Sequence, residues 1–140
     1  MTTLTSVYKG SLRTENTHTR SGQLVITDAP VDNKGKGEAF SPTDLVCTAL
    51  SSCMLTTMAI LADREEFSIT GMKAEVTKIM GTNPRRIAEI VVVLSHDGLK
   101  VRPDQLDRLK QAALTCPVAL SLQDTLKQTV MFKFTLEDFL

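Results

Sequence analysis

The stretch SPTDLVCTALSSCMLTTMAILADREE, residues 41–66, opens on a helix start around which the remaining elements must be arranged. Ser41 offers a side-chain oxygen to the first free backbone N–H groups, Pro42 suits the first helical position, and Asp44 stands three residues after the cap. Together they make the reciprocal capping-box pattern. Beyond it the run is apolar around much of its circumference, with Val46, Leu50, Cys53, Thr57 and Ile60 in line at helical spacing. A helix of that kind is expected in the middle of a structure or at an interface.

On its N-terminal side, TSVYKGSLRTENTHTR is rich in threonine, with Gly10 as a turn or bulge, and GQLVITDAP sets Leu24, Val25 and Ile26 between turn formers. Both read as strands. VDNKGKGEAF, glycine-rich and charged, reads as a flexible loop; Gly35 and Gly37 match neither nucleotide-binding fingerprint. On the C-terminal side, FSITGMKAEVTKIMG alternates Met72, Ala74 and Val76 against Lys73, Glu75 and Thr77, and RRIAEIVVVLSH follows the turn signal TNPRR. These two runs should pair as an antiparallel hairpin. A second helix starts near Pro103 with Leu106, Leu109 and Ala113 on one face; a short turn through PVALSLQDTL and a last strand TVMFKFTL complete the chain. The order predicts an α+β class in a single domain over residues 1–140.

Composition narrows the functions. Lysine plus arginine equal aspartate plus glutamate at 16 each, which gives no electrostatic case for nucleic acid or an anionic membrane. Aromatics are 4% with no tryptophan, so a stacking platform for bases is not expected and the core must be aliphatic and methionine-built. The first twenty residues lack a basic segment followed by an apolar run, and no unbroken apolar stretch reaches the roughly 20 residues that span a bilayer. The expectation is a cytoplasmic protein without a membrane partner. Three cysteines, an odd number, argue there against a structural disulfide framework.

Cys116 directly precedes Pro117, which suits the first position of a new helix, so Cys116 falls at the N-cap. Two readings stand for it: a thiol activated by unpaired N–H groups and the helix dipole, or a small buried hydrophobe at a kink. Cys53 lies inside the long helix beside small residues, as either a reactive thiol that a substrate can approach or a packing position. Cys47, six residues earlier and about 240° around the helix, shares no face with Cys53 and reads as structural. The cysteines form no C-x-x-C pair and the two histidines, His18 and His96, fall in separate strands, so no metal site or cofactor is expected. Arg13 and Arg20 are either solvent-exposed or anchors for a thiolate or an oxygen anion.

GKGEAFSPTDLVCTALSSCM taken with LTCPVALSL closely resembles the OsmC/Ohr family of osmotically inducible and organic hydroperoxide resistance proteins, and within it the small OsmC-like branch. The likeness covers nearly the whole chain, in order: strands carrying an arginine, a proline-capped long helix with a cysteine eleven residues after that proline, a hairpin, and a late Cys-Pro. It implies an OsmC-like fold with antiparallel sheets around a long central helix, in an intertwined homodimer with its sites at the subunit interface. It implies that Cys53 attacks an organic hydroperoxide and becomes a sulfenic acid, that Cys116 resolves it to a disulfide, and that an external dithiol reduces the disulfide. Arg13 would hold the thiolate and polarise the peroxide. Hydroperoxide-reducing members pair this arginine with a glutamate directly after the proline; here that position is Thr43, and Asp44 and Glu38 are the candidate carboxylates in its place. The alternative is a dimeric OsmC-like binding protein for a small apolar or lipid-like ligand, with the thiols secondary. A thiol-dependent hydrolase ranks behind both, because no histidine is placed as its base.

Overall fold

The computed structural model describes residues 1–138, and the chain divides into two compact units, residues 1–46 and 47–140. In the first unit β1 (Leu4–Gly10), β2 (Arg13–His18) and β3 (Leu24–Asp28) form an antiparallel sheet in that order. Gly10, at φ +86°, breaks the β1–β2 register and begins the turn, as its position in the sequence predicts. The β2–β3 register sets Arg13 opposite Asp28 and Thr14 opposite Thr27.

The glycine-rich segment after β3 is a loop, as its composition suggests, with a 3₁₀ turn at Val31–Asn33; it folds back on itself, with Gly35 N–H donating to Pro30 O at 2.9 Å and Gly37 N–H to Ala29 O at 3.2 Å. A Cβ on Gly35 would lie 1.7 Å from Ala29 O, so the glycine is there to let two backbones meet. No apolar side chain of this unit is buried; Thr27, Asp28 and Ser41 are its buried residues, while Val7 is 51% and Phe40 54% exposed.

Helix α1 (Pro42–Arg64) begins where the capping box predicts. Ser41 N–H donates to Asp44 Oδ2 at 3.0 Å, and Asp44 N–H donates to Ser41 Oγ at 3.1 Å. The buried stripe differs from the predicted one: Cys47, Leu50, Met54, Met58 and Leu61 are buried, whereas Cys53 and Thr57 are half-buried and Ile60 is 59% exposed. Leu50 belongs to both rows. The helix is apolar on several sides, so spacing alone could not choose between neighbouring stripes. An 18-residue window of α1 has mean hydropathy 1.9 and is 33% buried, so by length and composition the helix could cross a membrane, a property hidden from a search for unbroken apolar runs by its interspersed serines and threonines.

The second unit continues with β4 (Lys73–Gly81), β5 (Arg86–Leu99), α2 (Pro103–Leu114), α3 (Pro117–Ser121) and β6 (Lys127–Leu136). The β4–β5 hairpin is antiparallel as predicted. The expectation of antiparallel sheets does not extend to β6, which runs parallel to β5 in a mixed sheet of order β4-β5-β6. The physical reason is the connection: residues 100–126 carry two helices, the kind of crossover that returns a chain to the starting end of the previous strand. The large fully buried side chains of this unit are aliphatic and methionine, as composition required: Leu50, Met54 and Met58 from α1, Ile90, Val92, Leu94 and Leu99 from β5, and Leu109 from α2; the small Cys116 is buried with them. Arg108 of α2 joins Glu65, just beyond α1, at 2.6 Å and Asp104 at 3.1 Å.

Candidate functional site

Cys116 takes its position from local chemistry. Pro117 occupies the first turn of α3, and Cys116 is its N-cap in extended backbone, φ −65° and ψ 154°. Leu120 N–H donates to Cys116 O at 3.1 Å, and Gln128 of β6 donates from Nε2 to Ala119 O at 3.0 Å, fastening the short helix to the sheet. The thiol is fully buried and makes no side-chain capping hydrogen bond.

Of the two readings of this thiol, burial favours the small buried side chain over the activated one. Burial pushes the Cys116 thiol above the ordinary range; the first-turn amides of Ala119 and Val118 pull the other way, and the neighbouring Cys53 side chain adds to the rise. A cap position favours a thiolate only where solvent or a strong donor can share the charge.

Cys53 of α1 lies near enough to Cys116 of the α2–α3 junction for its side chain to raise that thiol. Neither is in a disulfide, nor is buried Cys47, which lies on the core-facing stripe of α1. Cys53 Sγ lies 4.0 Å from Thr57 Oγ1, one helical turn on.

In the N-terminal unit Arg13 is held by two charge-assisted hydrogen bonds, Nε to Asp28 Oδ1 at 2.7 Å and Nη2 to Asp28 Oδ2 at 2.8 Å. The Asp28 side chain is completely buried and Arg13 is 32% exposed, so the carboxylate anchors the guanidinium and leaves part of it uncovered. Glu38 reaches Arg13 Nη2 at 3.5 Å, and its backbone N–H donates to Asp28 Oδ2 at 3.2 Å. Hydrogen bonding to Arg13 holds the Asp28 carboxyl below its ordinary range despite burial, and raises Arg13 in turn.

Of the two expected carboxylates, Glu38 is thus a weak contact of the arginine, and the Asp44 carboxylate accepts the Ser41 N–H of the helix cap. The main partner, Asp28, was missed by sequence reasoning. Its signal was available: once β2 and β3 are paired, an arginine and an aspartate face each other across the strands. Arg20 is exposed. His18 Nδ1 lies 2.7 Å from Ser21 Oγ, and His96 Nε2 lies 2.9 Å from Thr70 O.

The other face of the N-terminal sheet forms a groove of about 680 Å³, lined by Leu4, Val25, Pro42 and Leu45 with Ser6, Thr14, Asn16, His18, Gln23 and Thr27. A side-chain hydrogen-bond chain runs along its floor, from Ser6 Oγ to Asn16 Oδ1 at 2.6 Å, from Asn16 Nδ2 to Thr14 Oγ1 at 3.0 Å, and on to Thr27.

Residues 35–131 match the family model described as OsmC-like protein. The chain is similar to a crystal structure from Psychrobacter arcticus 273-4, described as a candidate osmotic stress induced and detoxification response protein, with 46% identity, 94% of this chain and 96% of that one covered, and a TM-score of 0.89. A Legionella pneumophila structure described as an organic hydroperoxide resistance protein OsmC shares the fold at 14% identity, with 95% and 98% coverage and a TM-score of 0.69. So does a Vibrio cholerae structure described as a candidate organic hydroperoxide resistance protein with captopril bound in one of the active sites, at 13% identity, 94% and 92% coverage and a TM-score of 0.68. No curated protein matches the chain.

Proposed function

The chain belongs to the OsmC-like family, and on that footing we propose that it is a thiol peroxidase that reduces organic hydroperoxides to alcohols. The observation that carries this reading is the meeting of Cys53 and Cys116, residues distant in sequence, as neighbouring free thiols. Burial disfavours the thiolate at Cys116, which supports Cys53 as the first nucleophile.

The Cys53 thiolate attacks the terminal oxygen of ROOH. The S–O bond forms as the O–O bond breaks, the alkoxide takes a proton and leaves as ROH, and Cys53 becomes a sulfenic acid. The Cys116 sulfur then attacks the sulfenic sulfur, its proton leaves with the hydroxyl as water, and a Cys53–Cys116 disulfide forms. An external dithiol returns both sulfurs to the reduced state. Arg13, oriented by Asp28, supplies the positive charge that holds the thiolate and polarises the peroxide. Thr43 then removes no essential group, because Asp28 performs the orienting role of the family glutamate and Glu38 adds a second negative charge beside the arginine.

The working form proposed is a cytoplasmic homodimer of single OsmC-like domains, with α1 at its centre and two sites at the subunit interface. Its support is apolar surface that one chain leaves uncovered: the half-exposed flank of α1 ending at Ile60, and an N-terminal unit with no buried apolar side chain.

The deciding experiment is single-turnover reaction of the reduced protein with cumene hydroperoxide, with thiols counted and peptides mapped. Loss of two thiols per chain and a Cys53–Cys116 disulfide are expected. Cys53→Ser should abolish turnover, and Cys116→Ser should leave a sulfenic acid at Cys53 that a dimedone-type reagent traps. Full turnover by Cys53→Ser would refute the mechanism.

The groove on the N-terminal sheet favours a second reading, a binding protein for an amphiphilic ligand whose polar end meets the hydroxyl and amide floor. Native mass spectrometry that finds no retained ligand, together with an inert wild type in the peroxide experiment, would leave neither reading standing.

A further inference from the structure

Cys53 lies twelve positions into α1, where backbone N–H groups are spent on the helix itself, so the activation available at a helix start is absent. Its sulfur has to be served by side chains. On α1, Thr57 is one turn further on, and a helical side chain leans back toward the turn that precedes it. The hydroxyl accordingly faces Sγ at 4.0 Å, and both residues are half-buried, accessible to a reagent yet short of free water. We infer that the Thr57 hydroxyl is a catalytic hydrogen-bond donor to the Cys53 sulfur. The inference rests on the peroxidase reading for its use in turnover, but not for its measurement.

The 4.0 Å separation suits a neutral thiol, which is a weak partner in either direction. When the sulfur loses its proton it becomes a strong acceptor, and the hydroxyl needs only a rotation about its own side chain to close on it. Threonine can do this where valine, of the same shape, cannot. During attack the same donor sits beside the sulfur as negative charge moves from it to the leaving alkoxide. Thr57 therefore lowers the cost of the thiolate without being consumed, and the buried Cys116 is the other neighbour.

The test is peptide-resolved alkylation of Cys53 by iodoacetamide in the full-length reduced protein, as a function of pH, for wild type, Thr57→Val, Thr57→Ala and Thr57→Ser. Loss of one hydrogen bond to a charged group predicts alkylation about tenfold slower at neutral pH in the valine and alanine variants, with the midpoint of the profile moved upward. Thr57→Ser should restore the wild-type profile. If the valine and alanine profiles superimpose on wild type, or if serine behaves like valine so that the methyl group matters and not the hydroxyl, the inference is wrong. Should one of the two apolar variants fail to fold, the other decides. Peroxide consumption by the wild type is scored separately: an inert wild type with a Thr57-dependent alkylation profile would sink the peroxidase reading and leave the hydrogen bond standing.

Discussion

Asp28 combines complete burial with a charge, and that pairing works only because the Arg13 guanidinium meets both of its oxygens. An amide there would turn an N–H₂ toward the guanidinium and free it to swing. Asp28→Asn should therefore keep the fold by circular dichroism yet lower peroxide turnover about a hundredfold, the size expected when a catalytic group is misplaced by about an ångström. The pair also writes a pH dependence into stability. The folded carboxyl lies below its ordinary value of 3.8, so its contribution is present above that pH and is lost as pH falls through the lower folded value. Asp104, held down to about 2 by Arg102 and Arg108, loses its share between about pH 4 and 2. Cys116 acts at the other end: its folded value lies above the ordinary 9.0, so that contribution is full below 9.0 and fades as pH rises through the folded value. Urea midpoints measured across pH should fall less steeply on the acid side for Asp28→Asn and on the alkaline side for Cys116→Ser. At this scale the sequence displayed the residues that matter but not their electrostatic rank, because burial at Cys116 comes from elements far along the chain.

The elements that were legible are those encoded by neighbours in sequence. The α1 start follows from four adjacent residues, the β4–β5 hairpin from alternation around a turn, and the Cys116 cap from one proline. Ser41→Ala should cost about 1 kcal/mol in chemical denaturation, since one hydroxyl both caps α1 and stands opposite Asp44 in the box. Leu50→Ala, at a fully buried position of the same helix, should cost about 2–5 kcal/mol. Two features escaped because they depend on non-neighbours. The path of the loop at residues 31–40 is set where Gly35 passes against the backbone of Ala29, and Gly35→Ala should displace it together with the Glu38 N–H that supports Asp28. The buried stripe of α1 is chosen by the packing of the second unit, which spacing within the helix does not encode.

For the whole molecule, the apolar surface left by a single chain gives the proposed dimer its test. Val7 and Ile26 both pair with Glu15 of β2 and share one face of the N-terminal sheet, at 51% and 37% exposure. A Val7→Asp, Ile26→Asp double variant should sediment as a monomer where the wild type sediments as a dimer at micromolar concentration; an unchanged dimer would exclude this face from the interface. The α+β class could be read from the order of elements, whereas the parallel pairing of β6 could not, because strand direction is decided by a partner beyond two intervening helices. That pairing also dictates an order of events as the chain folds. The sixth strand cannot zip onto β5 until the whole crossover, residues 100–126, has closed as a loop, and such long-range closure is slow compared with helix or hairpin formation. Gln128, on that strand, grips the Ala119 carbonyl and with it the segment carrying Cys116. The segment carrying Cys116 is therefore fastened to the sheet only when the last strand has paired.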